Sequence, residues 1–382
     1  MGFLENFNIW GGGFTGALLP FLFVLTIVVF FHELGHFLVA RLCGVRVLVF
    51  SVGFGPELLG FNDRHGTRWK VSAIPLGGYV KFFGDEDVAS ATPDASAAAA
   101  MSASDRRQSF HHQSVGRRAA IVAAGPFANF ILAIIIFASI FAFYGKPSTT
   151  ARVDGVQADS AAAAAGMQPG DVVVAIDGRP IETFAEMQRV VSTSAGQRLT
   201  VTVERGGTRL DLEATPALRE VKDNFGNTHR VGVLGITRSV SPQDSQLETV
   251  PAHRAVLMGV GETWFVIERT MSYLGGIVTG REAADQLGGP IRIAQVSGQV
   301  ATVGFVALMN LSAILSVSIG LLNLFPVPLL DGGHLLFYGI EALRGRPLSE
   351  RAQEMGFRIG LALVLMLMIF ATFNDIVHLA TS

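Results

Sequence analysis

Four long apolar runs alternate along the chain with segments of mixed or polar composition. The segments 6–31, 119–145 and 293–330 contain no charged residue, and 355–373 contains one, Arg358, a turn from its end. A helix needs about 20 apolar residues to cross the hydrocarbon core of a bilayer, and an arginine near a helix end can extend its charge to the interface. The pattern predicts four transmembrane helices, at about 14–40, 118–143, 303–325 and 355–374.

The composition agrees with a membrane protein. Of the 382 residues, 50% are hydrophobic and 16% are charged, against about 25% charged in ordinary soluble domains. The net charge of −2 provides no basic surface for nucleic acid, so we exclude that class of partner. The single cysteine, Cys43, excludes an intramolecular disulfide and a cysteine-rich zinc module.

Basic residues are distributed unevenly between the loops, which predicts the orientation in the membrane. The loops 44–116 and 338–354 carry lysines and arginines, whereas the N-terminal tail has none before Arg41 and the C-terminal tail has none after Arg358. Loops rich in lysine and arginine favour the cytoplasmic side, so both termini and the insert after the second helix are expected on the outside of the membrane. The first helix lacks the positive start and cleavage site of a signal peptide, and we expect it to be retained.

The insert, at about 148–300, has a near-normal soluble composition. Segments 171–176 and 199–204 predict strands, and 182–192 predicts an amphipathic helix. The run AAAAAGMQPGDVVVAIDG at 161–178 resembles the helix–turn–strand of PDZ domains in bacterial proteases, which bind peptides by strand addition. We therefore expect one α/β PDZ domain at 148–218, with a small β-rich domain of no particular role as the alternative.

The segment 219–300 connects this domain to the last two spans. Within it, residues 252–279 are apolar but include Glu262, Glu268 and Arg269. Such a composition favours an interfacial helix over a membrane span, and a buried soluble helix is the alternative. The predicted organisation is thus a first membrane part at 1–147, the PDZ domain, the connecting segment, and a second membrane part at 301–382.

The first apolar run ends in FFHELGHFLVA, which places ionisable side chains in a predicted span. His32 and His36 are four residues apart, so a helix places both imidazoles on one face. With Glu33 they form the HExxH pattern, in which two histidines bind zinc and the glutamate is the general base. The alternative is two structural histidines at a helix end, near Arg41. Ionisable groups inside a membrane are costly and are functional candidates by default, which favours the metal site.

A catalytic zinc site takes three protein ligands and keeps a position for water. The favoured third ligand is Asp331 in NLFPVPLLDGGH, at 323–334, where two prolines interrupt the helix at the membrane boundary. Alternatively, Asp331 only caps the next helix. Cys43 and His334 are competing ligands, although Cys43 is expected to be a small buried apolar residue, and His334 could instead orient a ligand.

Between the first two spans, residues 68–86 (RWKVSAIPLGGYVKFFGDE) predict a β-hairpin on the cytoplasmic side. The PLGG segment at 75–78 supplies its turn residues. The alanine- and serine-rich segment 88–105 predicts a flexible linker. An exposed edge of the hairpin can pair with an unwound substrate as an added strand. The residues expected on that edge are Gly78, Tyr79 and Val80.

The motifs HELGH and NxxPxPxLDGG, four spans and one PDZ insert together resemble the site-2 protease family of intramembrane zinc metalloproteases, in its bacterial regulator-of-sigma-E protease branch. The resemblance implies one Zn²⁺ per chain, bound by His32, His36 and Asp331, with Glu33 as the base. It also implies substrate contacts from the second motif. The residues expected to make those contacts are Asn323, Pro326 and Pro328.

The family has a membrane-associated β-loop with a similar GGYV sequence, which supports a membrane-associated β-hairpin here. This sequence differs from the best-known sigma-E members in one respect: they have two tandem PDZ domains, whereas one is found here. The resemblance implies an enzyme of the bacterial inner membrane that cuts single-span membrane proteins near the cytoplasmic side. The substrates expected are a membrane-bound anti-sigma factor, a remnant signal peptide, or both, with further partners in membrane lipid and in peptide or protein termini at the PDZ domain.

Two other functions fit parts of the pattern. The same His, Glu and Asp side chains could relay protons or move metal ions in a membrane transporter. A non-catalytic scaffold on the same fold is a weaker alternative, because the HExxH and LDGG motifs are intact. A protease requires a glutamate beside the metal that does not bind it, so Glu33 is the residue that separates these functions.

Overall fold

The computed structural model describes residues 13–84, 101–147, 150–222, 228–238, 247–280 and 288–381. Contacts divide the chain into two compact units, residues 1–140 with 255–382, here the membrane unit, and residues 141–254, here the insert unit. The helices are α1 Gly13–Leu42, α2 Ala103–Gln108, α3 Val115–Tyr144, α4 Ala161–Ala164, α5 Phe184–Thr193, α6 Ala252–Val278, α7 Pro290–Val303, α8 Phe305–Asn323, α9 Asp331–Arg344 and α10 Glu350–Thr381.

Four of these helices, α1, α3, α8 and α10, are long and apolar enough to cross a membrane. They coincide with the four predicted spans, so the helical membrane core is confirmed. Three of the helices, α1, α3 and α10, extend beyond the predicted ends into residues outside the apolar runs, whereas α8 is shorter than predicted. The helix α10, for example, begins at Glu350 and includes Arg351, although its apolar run begins later.

Small residues let the helices of the membrane unit approach closely. A Cβ on Gly35 of α1 would lie 2.3 Å from the Ala124 carbonyl oxygen of α3, and one on Gly298 of α7 would lie 2.7 Å from the Ala17 Cα of α1. Within a bilayer, helices associate by such backbone proximity because burial of apolar surface gives little advantage there. The glycine inside HELGH is therefore a packing residue of the α1–α3 contact.

The strands are β1 Val47–Asn62, β2 Arg68–Phe82, β3 Lys146–Pro147, β4 Gly155–Val156, β5 Val172–Ile176, β6 Arg179–Pro180, β7 Leu199–Arg205, β8 Thr208–Ala214, β9 Ala217–Lys222, β10 Thr228–Val233, β11 Ile236–Thr237 and β12 Leu247–Glu248. The first two belong to the membrane unit, and β1 pairs antiparallel with β2. The others belong to the insert unit.

The β-hairpin exists, but the predicted bounds 68–86 are wrong. The segment forms only the second strand, β2, and its partner β1 lies before it in the chain. The turn is at 63–67, where the Asp63 carboxylate accepts hydrogen bonds from the backbone N–H groups of His65 and Thr67. An aspartate side chain that accepts hydrogen bonds from backbone groups two and four residues later stabilises a tight turn. The chain therefore reverses direction at Asp63 and not at PLGG.

The PLGG segment is a bend inside β2. Residues 68–72 pair with 57–62 of β1, and 68–71 also pair with 49–52, so the first half of β2 lies between two parts of β1. Residues 78–82 pair only with 47–52. Gly77 in the bend has φ +120°, a conformation that favours glycine. The second half of β2 therefore lies beside the N-terminal half of β1, and no other strand among the described residues pairs with it.

Two further predicted segments are the linker at 88–105 and the helix at 252–279. Most of the predicted linker 88–105 lies outside the described residues, and its last three residues, 103–105, begin the helix α2. Ser102 caps α2, because its side chain accepts a hydrogen bond from the Asp105 backbone N–H. Residues 252–278 form the single long helix α6, as the pattern predicted, while its interfacial position stays a prediction.

The insert unit is an α/β domain around a four-stranded sheet with the order β6-β5-β7-β8. The predicted strands 171–176 and 199–204 and the predicted helix 182–192 correspond to β5, β7 and α5. A two-residue turn at Asp177–Gly178, both with positive φ, joins β5 to β6, as tight hairpins require. The remaining strands pair as β4 with β11, β3 with β12 and β9 with β10.

Candidate metal centre

Three side chains from distant parts of the sequence converge in the membrane unit. The His32 Nε2 lies 3.2 Å from the His36 Nε2 and 3.2 Å from the Asp331 Oδ2, and the His36 Nε2 lies 3.6 Å from the same oxygen. Both histidines are on α1, four residues apart, and Asp331 is the first residue of α9. Among the described residues, these three side chains form a cluster whose ligand atoms are close enough together to hold a metal ion.

The arrangement fits zinc in size and in chemistry. Ligand atoms at about 2.0–2.2 Å around a tetrahedral zinc are about 3.3–3.6 Å apart, close to the three distances observed. The Asp331 Oδ2 is buried and has no hydrogen-bond partner among the described residues. An unpartnered buried oxygen is rare in folded proteins, and a bound cation would explain it. Two imidazoles and one carboxylate are a common catalytic zinc set.

Helix α3 orients the two imidazole rings. The His36 Nδ1–H donates to the backbone carbonyl of Ile121 at 2.9 Å, which directs the Nε2 of that ring toward the centre. The His32 Nδ1 lies 3.3 Å from the side-chain amide of Asn129. Metal-binding histidines usually have such a partner on the other ring nitrogen, because it fixes the ring and its tautomer.

Gly125 gives α3 its close approach to the rings. A Cβ at this position would lie 2.3 Å from the His36 Nε2 and 2.9 Å from the His32 Cε1. Neither Gly125 nor Asn129 was predicted from the sequence. Their signal was present, since they are four residues apart on one helix face and an asparagine is costly inside a span.

The LDGG motif places Asp331 at the start of α9. The N-cap of this helix is Leu330, and no side chain caps it, so the alternative that Asp331 is only a capping residue is wrong. A Cβ on Gly332 would lie 2.2 Å from the Phe325 carbonyl oxygen, and one on Gly333 2.4 Å from the Val327 carbonyl oxygen. The two glycines therefore let the first turn of α9 pack on the proline-containing loop before it.

That loop is strained immediately before the motif. Leu329 has φ +132°, which is sparsely populated by residues with a side chain and costs of order 1–3 kcal/mol. Pro328 contacts α10, where a Cβ on Gly360 would meet the Pro328 carbonyl oxygen. Pro326 and Asn323 lie in the same stretch, at and after the end of α8, and no described contact joins either of them to the three converging side chains.

Glu33 lies between the converging side chains and the β-sheet. The closest approach of β2 is at Gly78, where a Cβ would lie 3.2 Å from the Glu33 Cγ. The Glu33 carboxylate accepts a hydrogen bond from the Val80 backbone and is within electrostatic range of His36, His32 and Asp331. It is not among the converging ligand atoms. Tyr79, between the two contacting residues, stacks on Phe54.

The two competing ligands lie elsewhere. Cys43 packs beside the apolar cluster around Phe37 and Phe50, as expected for a small apolar residue. The ring of His334 packs 5.4 Å from Phe357 and 6.5 Å from Tyr338, measured between ring centroids. Neither residue belongs to the converging group among the described residues.

Comparison with known proteins identifies the class. The model of "Peptidase family M50" matches residues 20–367, and the chain belongs to this family of zinc metalloproteases. The predicted family, enzyme class and zinc cofactor are thereby confirmed, and the transporter alternative is not supported. The four apolar helices make it a membrane protein.

Individual relatives extend over nearly the whole chain. A protein of Agrobacterium fabrum named "Putative zinc metalloprotease Atu1380" is 55% identical over 366 residues, 96% of this chain and 97% of the relative. The metalloprotease MmpA of Caulobacter vibrioides is 41% identical over 95% of this chain and 96% of its own. The regulator of sigma-E protease RseP of Salmonella typhimurium is 32% identical over 94% of this chain and 98% of its own.

Proposed function

We propose that the chain hydrolyses peptide bonds within or near the transmembrane segments of single-span membrane proteins. In this proposal His32, His36 and Asp331 bind one zinc ion, and Glu33 is the general base. The convergence of two Nε2 atoms and one unpartnered carboxylate oxygen beside a spanning helix carries the proposal. The family supplies the reaction class, peptide hydrolysis.

The chemistry requires a metal and a separate proton carrier. Bound zinc would lower the pKa of a water molecule to about 7 and polarise the scissile carbonyl. Glu33 accepts one proton from the attacking water and delivers it to the nitrogen of the leaving amine. The C–N bond breaks as the water oxygen bonds to the carbonyl carbon, so one water is consumed for each bond cut. Glu33 can make this transfer because it stands beside the ligands without being one of them.

A transmembrane substrate must unwind first, because its helical peptide groups are already hydrogen-bonded to one another. The second half of β2 offers a place for the extended segment. Its Val80 backbone contacts Glu33, and no other described strand pairs along that side. We propose that Gly78, Tyr79 and Val80 hold the substrate as an added strand. The loop that carries Asn323, Pro326 and Pro328 would then contact the substrate close to the metal.

The insert unit is proposed to be one PDZ domain. Its four-stranded sheet, the short helix α4 and the capped helix α5 support this, as does the GMQPGD sequence before β5. Such a domain binds peptide or protein termini, or limits the size of the periplasmic part of a substrate. The proposed limits are 148–218 for the domain and 219–300 for the connecting segment.

Lipid contacts are proposed for α6. The side chains of Leu257, Trp264 and Met271 are exposed and recur every seven residues, so they lie on one face of the helix. A helix with such a face can lie in the membrane interface. Together with the lysines and arginines of the two loops, this supports an inner-membrane protein with both termini and the PDZ domain in the periplasm and the zinc site near the cytoplasm.

The test is cleavage of a purified single-span membrane protein by the full chain in detergent. We expect Glu33→Gln to abolish cleavage and to retain one zinc per chain, because the amide cannot carry the proton and the ligands are unchanged. Glu354→Gln, on an exposed i,i+4 pair with Arg358, is the matched control and should cleave normally. Cleavage by Glu33→Gln at the wild-type rate would contradict the proposal.

The physiological substrate belongs to the same test. The resemblance to the sigma-E branch, to which one relative's name also refers, suggests a membrane-bound anti-sigma factor, and a remnant signal peptide is the second candidate. Presenting both substrate types to the same preparation would rank them by rate.

A further inference from the structure

Asn129 is the polar side chain of α3 that faces the metal centre. Its side chain is fully buried, one helical turn beyond Gly125. The Ser316 hydroxyl of α8 donates to the Asn129 backbone carbonyl at 2.8 Å, and a Cβ on Gly320 of α8 would lie 3.1 Å from the Asn129 Cβ. Helix α8 therefore packs closely on α3 at Asn129, and the Asn129 amide contacts His32.

In the contact between Asn129 and His32, the hydrogen-bonding capacity of the Asn129 amide is only partly used. The Asn129 Nδ2, a donor, lies 3.3 Å from the His32 Nδ1. The Asn129 Oδ1 is buried and has no hydrogen-bond partner among the described residues. A 180° rotation of the amide exchanges its oxygen and nitrogen without moving any other atom. It would place the acceptor against the ring nitrogen.

The proton on His32 decides which orientation is correct. The His32 Nε2 is the atom that converges with His36 and Asp331. A ring nitrogen can bind a metal only through its lone pair, so the neutral ring must then carry its proton on Nδ1. That N–H needs an acceptor in a buried place. The Asn129 amide oxygen can be that acceptor, because the amide lies beside the His32 Nδ1 and its oxygen has no hydrogen-bond donor among the described residues.

The neighbouring histidine already has this arrangement. The His36 Nδ1–H donates to the Ile121 carbonyl, eight residues before Asn129 on the same helix. Both rings would then present Nε2 to the metal and Nδ1–H to α3. One partner is a backbone carbonyl that no substitution can remove, whereas the other is a side chain and can be tested.

We propose that Asn129 is a positioning residue for zinc, and that its amide oxygen accepts the His32 Nδ1–H and holds the ring in the tautomer that binds metal through Nε2. The inference rests on the proposed function in one respect, the assignment of His32 as a ligand. It adds a residue outside both sequence motifs and a defined direction for one hydrogen bond.

The test is the zinc dissociation constant of the full chain in detergent, measured by competition with a chromophoric chelator. Asn129→Leu has a similar volume and no acceptor, and it should weaken zinc binding about 10- to 100-fold, the usual effect of losing such a partner. Asn129→Asp keeps an acceptor and should bind zinc within about threefold of the wild type, because carboxylates often have this role. Asn129→Ala replaces the leucine variant if the latter does not fold.

Three further measurements separate an effect of the hydrogen bond from a loss of packing. Ser312→Ala removes a buried hydroxyl of α8 that bonds only within its helix and should leave zinc affinity unchanged. The visible spectrum of the cobalt-substituted protein should change in Asn129→Leu and be restored in Asn129→Asp, which a loss of packing alone would not produce. Unfolding of the metal-free variants reports whether each one is folded.

Different results would contradict the assignment of His32 as a zinc ligand and the positioning role of Asn129. If His32→Ala binds zinc as the wild type does, the ligand assignment fails, and the inference fails with it. If His32→Ala loses zinc but Asn129→Leu binds it normally, only the role of Asn129 is wrong. Equal weakening by leucine and aspartate would also overturn the inference, because the acceptor would then be irrelevant.

Discussion

The membrane unit and the insert unit are stabilised in different ways. The insert unit has an apolar core, a helix with a complete capping box at Thr183 and Glu186, and a buried aspartate paired with an arginine. The membrane unit instead uses glycines at helix contacts and brings His32, His36 and Asp331 together from distant segments. In the insert unit local rules account for most features, whereas the chemistry of the membrane unit depends on contacts between segments far apart in the sequence.

The largest expected effect is at the α1–α3 contact of the membrane unit. Gly125→Ala would place a methyl group 2.3 Å from the His36 Nε2, so the ring or the helix must move. We expect zinc affinity to fall by more than about a hundredfold, beyond the usual loss of one orienting partner, with cleavage lost in parallel.

The matched control for that change is in the same helix. Gly116→Ala meets no atom within 4 Å and should have normal zinc affinity and activity. If both alanine variants behave alike, the close approach of α3 to the histidines is not important for the site, and the contrast with the insert unit loses its main support.

A second change tests the sheet edge of the membrane unit. The Val80 backbone bonds Glu33, so Val80→Pro removes an N–H that faces the catalytic side. We expect cleavage to fall on the order of a hundredfold, the effect of displacing a substrate by about 1 Å, with zinc content unchanged. Leu76→Pro, in the bend and outside the strand pairing, should have a much smaller effect. Normal cleavage by Val80→Pro would exclude the clamp.

The buried ion pair of the insert unit should affect stability but not zinc. The Asp171 carboxylate accepts two hydrogen bonds from the Arg205 guanidinium, at 2.7 and 2.8 Å, which lowers the pKa of Asp171. Asp171→Asn should reduce the free energy of unfolding of this unit by about 1–3 kcal/mol. Thermal unfolding followed by circular dichroism measures this, with zinc content as the internal control.

The same pair predicts a pH dependence. Because the folded-state pKa of Asp171 is below its unfolded value of about 3.9, its stabilisation is fully present above that pH. It is lost as the pH falls below about 4 through the folded pKa. The wild type should lose stability in this range more steeply than Asp171→Asn, and parallel curves would show that the pair does not contribute.

The smallest effect is expected at the helix cap of the insert unit. The Thr183 side chain accepts from the Glu186 backbone N–H, and the Glu186 side chain accepts from the Thr183 N–H. Thr183→Ala should cost about 1 kcal/mol, whereas Thr208→Ala on an exposed strand position should cost less. An equal change in the two variants would mean that the cap adds nothing measurable.

The elements that the sequence predicted are those specified by local pattern. The four spans follow from continuous apolar runs, and the strands β5 and β7 and the helix α5 follow from their local patterns. The hairpin bounds were wrong because the pairing of β1 with β2 depends on the Asp63 turn and on the bend at Gly77 in β2. A turn-forming sequence such as PLGG does not by itself distinguish a hairpin turn from a bend within one strand.

The metal centre could be predicted in part for a similar reason. His32 and His36 have a helical spacing, and Asp331 follows a helix interruption, so all three carried a signal. Gly125 and Asn129 carried a weaker one, because their importance depends on which face of α3 packs against α1. That information is in the three-dimensional contacts and is not contained in the α3 segment alone.

The most direct test of the central claim is the zinc content of two neighbouring variants. Asp331→Ala removes a converging carboxylate, whereas His334→Ala, one helical turn later, removes a ring that packs against Phe357. Measured by atomic emission on the purified full chain, the wild type and His334→Ala should contain one zinc per chain, and Asp331→Ala should contain almost none. Full zinc occupancy in Asp331→Ala, or its loss in His334→Ala, would contradict the assigned metal site.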